Sequence, residues 1–135
     1  MALLVDTGVL YALADEDDRW HARAIAWLDQ ESELLAVPVT VLPEVCYLLA
    51  TRLSVESEVR FVASLVSGDL AVEPLMAADL ARVPRILERH PDIGFVDASI
   101  VAIAERLRAV RLATTDRRHF GAMRPRHVRT FELVP

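Results

Sequence analysis

Four carboxylates, Asp6, Glu44, Asp97 and Asp116, each stand where an apolar run meets a helix start or a loop. Asp6 closes Ala2-Leu3-Leu4-Val5, and Glu44 follows Val37-Pro38-Val39-Thr40-Val41-Leu42-Pro43. Asp97 follows Phe95-Val96, and Asp116 closes Arg111-Leu112-Ala113-Thr114-Thr115. A carboxylate in apolar surroundings is costly unless something positive compensates it. Four of them gathered in space call for a divalent cation. An all-oxygen donor set suits Mg²⁺, with Mn²⁺ as the alternative, and the chemistry favoured is phosphodiester hydrolysis. Taken singly, each acid has an ordinary reading: Asp6 before Thr7-Gly8 begins a turn, Asp97 caps a helix, Asp116 sits in a loop. Only a fold that brings all four to one place turns them into a site.

The elements that must position them follow from periodicity and punctuation. Ala2–Val5 reads as a short buried strand and Thr7–Ala14 as a short helix ended by the acidic loop Asp15–Asp18. Asp18 is expected to cap a second helix to about Gln30. Leu34–Val37 is a second strand, and Thr40 caps a third helix through about Arg52, with Pro43 in its first turn. Ser54 begins a fourth helix that Gly68 ends. Leu70–Val72 reads as a strand, Met76–Arg89 and Asp97–Arg108 as helices, Leu112–Thr114 as a strand, and Val128–Val134 as an edge strand. This alternation predicts an α/β fold, a three-layer α/β/α sandwich on a mainly parallel sheet, with residues 1–135 as one domain. Such sheets carry their sites at the carboxyl ends of strands, beside helix N-termini, so all four acids fall on one sheet edge.

Composition narrows the chemistry. A hydrophobic fraction of 53% excludes disorder, and 135 residues suffice for one real core. No run is long enough to span a bilayer, and Asp6 interrupts the N-terminal apolar stretch before it can serve as a signal segment. The single cysteine, Cys46, excludes an internal disulfide and a Cys zinc cluster, which points to a reducing cytoplasm. His21, His90, His119 and His127 are scattered without zinc-ligand spacing and are assigned surface or supporting roles. All fifteen basic residues are arginine, so mechanisms that need a lysine are excluded. The net charge of −5 hides an asymmetry: residues 1–80 carry 4 Arg against 14 acids, and residues 81–135 carry 11 Arg against 6 acids. The arginine-rich half is suited to a phosphate backbone, although solvated helix faces produce the same pattern.

Val5-Asp6-Thr7, Pro43-Glu44, Phe95-Val96-Asp97-Ala98 and Thr114-Thr115-Asp116-Arg117-Arg118-His119-Phe120, in this order, resemble the PIN-domain ribonucleases, and most closely the VapC toxins of bacterial toxin–antitoxin pairs. The Asp18-Arg19-Trp20-His21 segment fits the same pattern, and the resemblance covers nearly the whole chain. It implies a PIN-like fold and a Mg²⁺-dependent endoribonuclease that cuts structured RNA, a tRNA or ribosomal RNA loop, by a metal-activated water. It implies metal-binding and catalytic roles for Asp6, Glu44, Asp97 and Asp116. Asp6 and Asp97 would be the firmest ligands, with Glu44 and Asp116 direct or water-mediated. Thr7 and Thr115 are implied to orient carboxylates or waters. It further implies a homodimer silenced by a VapB-like antitoxin, with Trp20, Trp27, Tyr47 and Leu48 as candidates for an antitoxin groove. Arg117 and Arg118, with Arg85, Arg89 and Arg124, are the candidate phosphate contacts. Gly8 departs from the pattern, standing where relatives often carry Ser or Asn.

Two other function classes share features with this sequence. Phosphatases of the haloacid dehalogenase type also start from an Asp after the first strand. They need a second Asp two residues on, where this chain has Gly8, and a lysine, which it lacks. A non-catalytic PIN-like module acting mainly through partner binding is the remaining alternative.

Overall fold

A computed structural model describes residues 2–135. The chain runs β1 (Leu3–Val5), α1 (Thr7–Ala14), α2 (His21–Gln30), β2 (Leu35–Pro38), α3 (Leu42–Leu48), α4 (Val55–Ser67), β3 (Ala71–Glu73), α5 (Ala77–Arg89), α6 (Phe95–Leu107), β4 (Arg111–Ala113), α7 (Arg117–Ala122) and β5 (Glu132–Val134). A 3₁₀ turn over Val39–Val41 precedes α3, and a π turn over Leu49–Leu53 extends it.

The five strands form one all-parallel sheet in the order β3-β2-β1-β4-β5. Leu4 pairs with Ala36 on one side and Leu112 on the other, so β1 is central. Parallel strands need helical crossovers, and these are right-handed. The chain moves one way from β1 to β3 and then crosses to β4 and β5, so α1–α4 and α5–α7 fall on opposite faces. β1 and β2 are buried along their whole length, which explains their unbroken apolar sequences. The centre of the second layer is α6, whose residues Ala98 to Ala104 are all buried. Phe120, Leu112, Leu3 and Leu49 fill the rest of the core around it.

Several local expectations shift. Asp18 caps no helix: it accepts the Trp20 N–H at 2.8 Å and closes a turn two residues before α2 begins. Thr40 lies in the 3₁₀ turn and bonds Ser99 across to α6 at 2.6 Å instead of capping α3. Helix α6 starts at Phe95 after Gly94, so Asp97 is its third residue. The carboxy-terminal strand is confined to Glu132–Val134, and residues 117–122, for which the sequence predicts no element, form the helix α7 capped by Asp116. Among the described residues no helix is long and apolar enough to cross a membrane.

Candidate active site

Sheet order decides where the acids go. β1 and β4 are parallel neighbours at which the strand order reverses, and the crevice beyond their carboxyl ends is where such sheets place sites. Asp6 is the first residue after β1, and Asp116 is the third after β4. Glu44 and Asp97 lie in the first turns of α3 and α6. The positive end of each helix favours a carboxylate there.

Asp6 is 8% exposed. Its Oδ1 accepts the Thr7 N–H at 2.7 Å, capping α1, and its Oδ2 accepts the Thr114 hydroxyl at 3.0 Å. Burial pushes its pKa up to about 6 from the ordinary 3.8. The two hydrogen bonds pull the other way, and the charges of Asp97 and Glu44 add to the rise. Asp97 is also raised, by burial first and then by Asp116 and Glu44, with His119 opposing. Asp97 therefore feels all three other acids, and Asp6 feels Glu44 as well, so the structure gathers the four around Asp97.

Among the described residues, three of the four lack a basic partner. Acids with buried side chains elsewhere are neutralised by arginine: Asp79 by Arg106 at 3.0 Å, Glu105 by Arg82 at 2.8 Å, Glu31 by Arg111 at 2.5 Å. Among the described residues Asp6, Glu44 and Asp97 have no basic partner within salt-bridge distance. No three carboxylates or histidines among the described residues converge closely enough to enclose one ion directly. The donor chemistry suits a hydrated divalent cation, which keeps several waters and uses one or two carboxylates. The Thr7 hydroxyl, buried beside Asp6 without a protein partner, is a further oxygen such a hydrated ion would satisfy.

Two contributors were not singled out from sequence. Thr114, fully buried, donates to Asp6 and accepts the Asp116 N–H at 3.0 Å, tying the two acids through one hydroxyl. It precedes Thr115, which was expected in that orienting role; the Thr115 hydroxyl instead packs against Gly8. A Cβ at Gly8 would lie 2.3 Å from the Thr115 Oγ1, so glycine is what admits this threonine. Strand alternation puts Thr114 on the same face as Leu112, but only the pairing with β1 reveals that this face meets Asp6. The other is His119. Its backbone N–H reaches Asp116 Oδ1 at 3.0 Å and its Nδ1 reaches Oδ2 at 2.8 Å, while Nε2 stands 3.4 Å from Asp92. The hydrogen bond to Asp116, then its charge and that of Asp92, raise the imidazole pKa.

The arginines are exposed at different places. Arg117 and Arg118 flank Asp116; Arg117 bonds the Pro135 carbonyl and lies 5.7 Å from the Trp20 ring centroid. Arg89 and Arg124 share a shallow basic pocket with Arg82, and Arg85 is exposed on α5. Because α5 and α6 are joined by a short connection and bridge Asp79 to Arg106, Arg89 lies toward the Asp97 end of α6.

An apolar groove lies elsewhere, between α1, α2 and α4, with about 610 Å³ of space lined by Leu10, Leu13, Leu28, Leu34, Phe61 and Leu70 among others. None of Trp20, Trp27, Tyr47 and Leu48 lines it. Trp27 and Leu48 pack on the core, Trp20 is stacked with Arg23 and Arg117, and Tyr47 is 68% exposed away from the groove.

Comparison with known proteins agrees with this geometry. Residues 3–124 match the family model described as PIN domain. The chain is 33% identical to Ribonuclease VapC26 of Mycobacterium tuberculosis over 135 residues, covering 98% of this chain and all of that protein. Among solved structures it resembles VapC20 of M. tuberculosis, described as a sarcin–ricin loop cleaving toxin, with a TM-score of 0.82 at 24% identity over 94% of this chain and 98% of that one. It also resembles a chain of DNA-bound VapBC from Salmonella typhimurium, with a TM-score of 0.69 at 21% identity over 98% of each chain.

Proposed function

The chain belongs to the PIN-domain family and is a full-length homologue of a VapC ribonuclease; on that premise we propose a Mg²⁺-dependent endoribonuclease, with Mn²⁺ as an alternative ion, acting as the toxin of a toxin–antitoxin pair. One observation carries the metal reading: a buried carboxylate, Asp6, sits beside Asp97 and Glu44 with no basic side chain to neutralise it. Asp6 and Asp97 are the firmest ligands in this reading, and Glu44 and Asp116 act directly or through water. Thr114 and Thr7 orient them. A bound ion supplies charge stabilisation at a phosphoryl oxygen and a more acidic attacking water. The chain's own part is to hold the four carboxylates in register and to present Arg117 and Arg118, with Arg85, Arg89 and Arg124, to the phosphates of a structured RNA. A tRNA or ribosomal RNA loop is the substrate class, supported by the description of VapC20. The protein acts as a homodimer. A VapB-like antitoxin silences it, and the leucine- and phenylalanine-lined groove between α2 and α4 suits an amphipathic antitoxin helix.

The test is to map RNA 5′ ends after induction of the wild type and of Asp97→Asn. Cleavage leaving a 5′-phosphate and a 3′-hydroxyl is expected from the wild type, with at least about a 100-fold loss in the folded variant. A 2′,3′-cyclic phosphate would overturn the hydrolytic mechanism, since that product requires the RNA 2′-hydroxyl as nucleophile. No cleavage and no specific Mg²⁺ binding by calorimetry would instead make this a module that only binds partners.

A further inference from the structure

We infer that His119 is a positioning residue: its ring and backbone grip both oxygens of Asp116. This rests on the proposed role of Asp116 at the metal site. The backbone contact alone, His119 N–H to Oδ1 at 3.0 Å, is an ordinary helix cap that any residue at 119 supplies. The ring adds what a cap does not. Its Nδ1 donates to Oδ2 at 2.8 Å, so the carboxylate is held at two points and its plane is fixed. With one contact only, rotation about the Asp Cβ–Cγ bond is broad.

The fixing has something to resist. Asp116 lies within reach of the Asp97 charge, and two like charges drive an unrestrained carboxylate outward, away from the shared edge. The second ring nitrogen faces a further acid. Nε2 stands 3.4 Å from Asp92, two residues before Gly94, which begins the helix that carries Asp97. The imidazole thus bridges the cap of α7 to the segment that sets the start of α6. The other three histidines have no such role: His21 and His127 bond the carbonyls of Ala12 and Ala109, and His90 lies in a shallow pocket on the arginine side.

Two amide side chains separate the contacts. Asparagine places an amide nitrogen where Nδ1 is and keeps the Asp116 contact; glutamine reaches where Nε2 is and keeps only the Asp92 contact. The experiment compares wild type, His119→Asn, His119→Gln, His119→Ala, Asp116→Asn and the Asp116→Asn/His119→Ala pair. Mg²⁺ affinity is read by calorimetry on the intact protein, with melting in chelator as the check on folding. The Mg²⁺ concentration for half-maximal RNA cleavage is read in parallel. His119→Asn is expected within about threefold of wild type in Mg²⁺ affinity. His119→Gln and His119→Ala are expected to weaken it about tenfold, the size seen when a group orienting a ligand is lost. The double variant should bind no worse than Asp116→Asn alone, because His119 acts only through that carboxylate. If His119→Ala fails to fold, the Asn and Gln variants decide the matter. If Asp116→Asn weakens Mg²⁺ binding while His119→Gln matches wild type, the positioning role is overturned and the metal reading survives. If Asp116→Asn itself binds Mg²⁺ as wild type does, the metal role of Asp116 falls, and the positioning role falls with it.

Discussion

Replacing Asp6 with Asn should make the metal-free protein more stable at neutral pH while abolishing its activity. The Asp6 carboxyl has a folded pKa of about 6 against an ordinary 3.8, chiefly because it is buried. The folded state therefore holds the proton more tightly than the unfolded chain does. Stability contributed by the protonated acid is fully present below about pH 4 and is lost as pH rises through about 6. Above that, the gap between the two pKa values is worth about 3 kcal/mol against the fold. Asparagine carries no charge to desolvate or repel, and it caps helix α1 as well as aspartate does. It does misplace one hydrogen bond, since its amide nitrogen cannot accept the Thr114 hydroxyl as Oδ2 does, at about 1 kcal/mol. The net gain is about 1–2 kcal/mol, or about 3–8 °C in melting temperature for a chain of this size. Thermal melts of both proteins in chelator from pH 4 to pH 8 measure it. The difference should be near zero or reversed at pH 4 and grow to its full size above pH 7. Saturating Mg²⁺ should then raise the wild type by about 2.7 kcal/mol at one hundred times its dissociation constant and leave Asp6→Asn nearly unmoved. A variant less stable than wild type at pH 8 in chelator, or a difference flat across the pH range, would refute the account of a desolvated, uncompensated carboxylate.

The remaining predictions concern the groups around it. Thr114→Val removes a hydroxyl that serves Asp6 and the Asp116 N–H at once, and should destabilise by about 1–3 kcal/mol in chemical denaturation. It also removes a hydrogen bond that pulls the Asp6 pKa down, so the loss of stability with rising pH should move to higher pH; an unchanged profile would contradict that link. Gly8→Ala forces a Cβ into the space of the Thr115 hydroxyl and should lower the melting temperature by several degrees, about 1–3 kcal/mol. Gly8→Ala combined with Thr115→Ala should recover most of the loss, and a double variant as unstable as the single would show that the two residues are not a matched pair.

Much of the fold was legible because its signals are local. Unbroken apolar runs such as Leu3-Leu4-Val5 and Leu35-Ala36-Val37 mark strands buried on both faces, and the alternation of such runs with helical periods points to a parallel sheet. Ser54 and Gly68 bracket α4 as read, because capping depends on a residue and its near neighbours. What was misread depended on competition from elsewhere. Thr40 and Asp18 have the chemistry of helix caps, yet Thr40 is drawn to Ser99, 59 residues away, and Asp18 is spent on an earlier turn. The six-residue α7 carries too short an apolar pattern to announce itself. Of the four residues offered for a partner groove, Trp27 and Leu48 pack on the core, Trp20 stacks with Arg23 and Arg117, and Tyr47 is exposed.

The sequence by itself determined which acids were candidates, the oxygen-only character of the donor set, the absence of lysine chemistry and the strand–helix order that aims carboxylates at one edge. Those are properties of residue type and of neighbours within a turn or two, and folding does not alter them. The tertiary structure alone decided that Thr114 holds Asp6, that His119 holds Asp116, and that Asp6, Glu44 and Asp97 go without arginine while the buried carboxylates of Asp79, Glu105 and Glu31 are paired. Each of these depends on which strands are neighbours and in what register. Asp6 and Thr114 are 108 residues apart in the chain and meet only because β1 pairs with β4. Burial, mutual repulsion and the lack of a counter-charge are sums over such long-range neighbours, and they are what turns four unremarkable caps and turns into one electrostatically strained site.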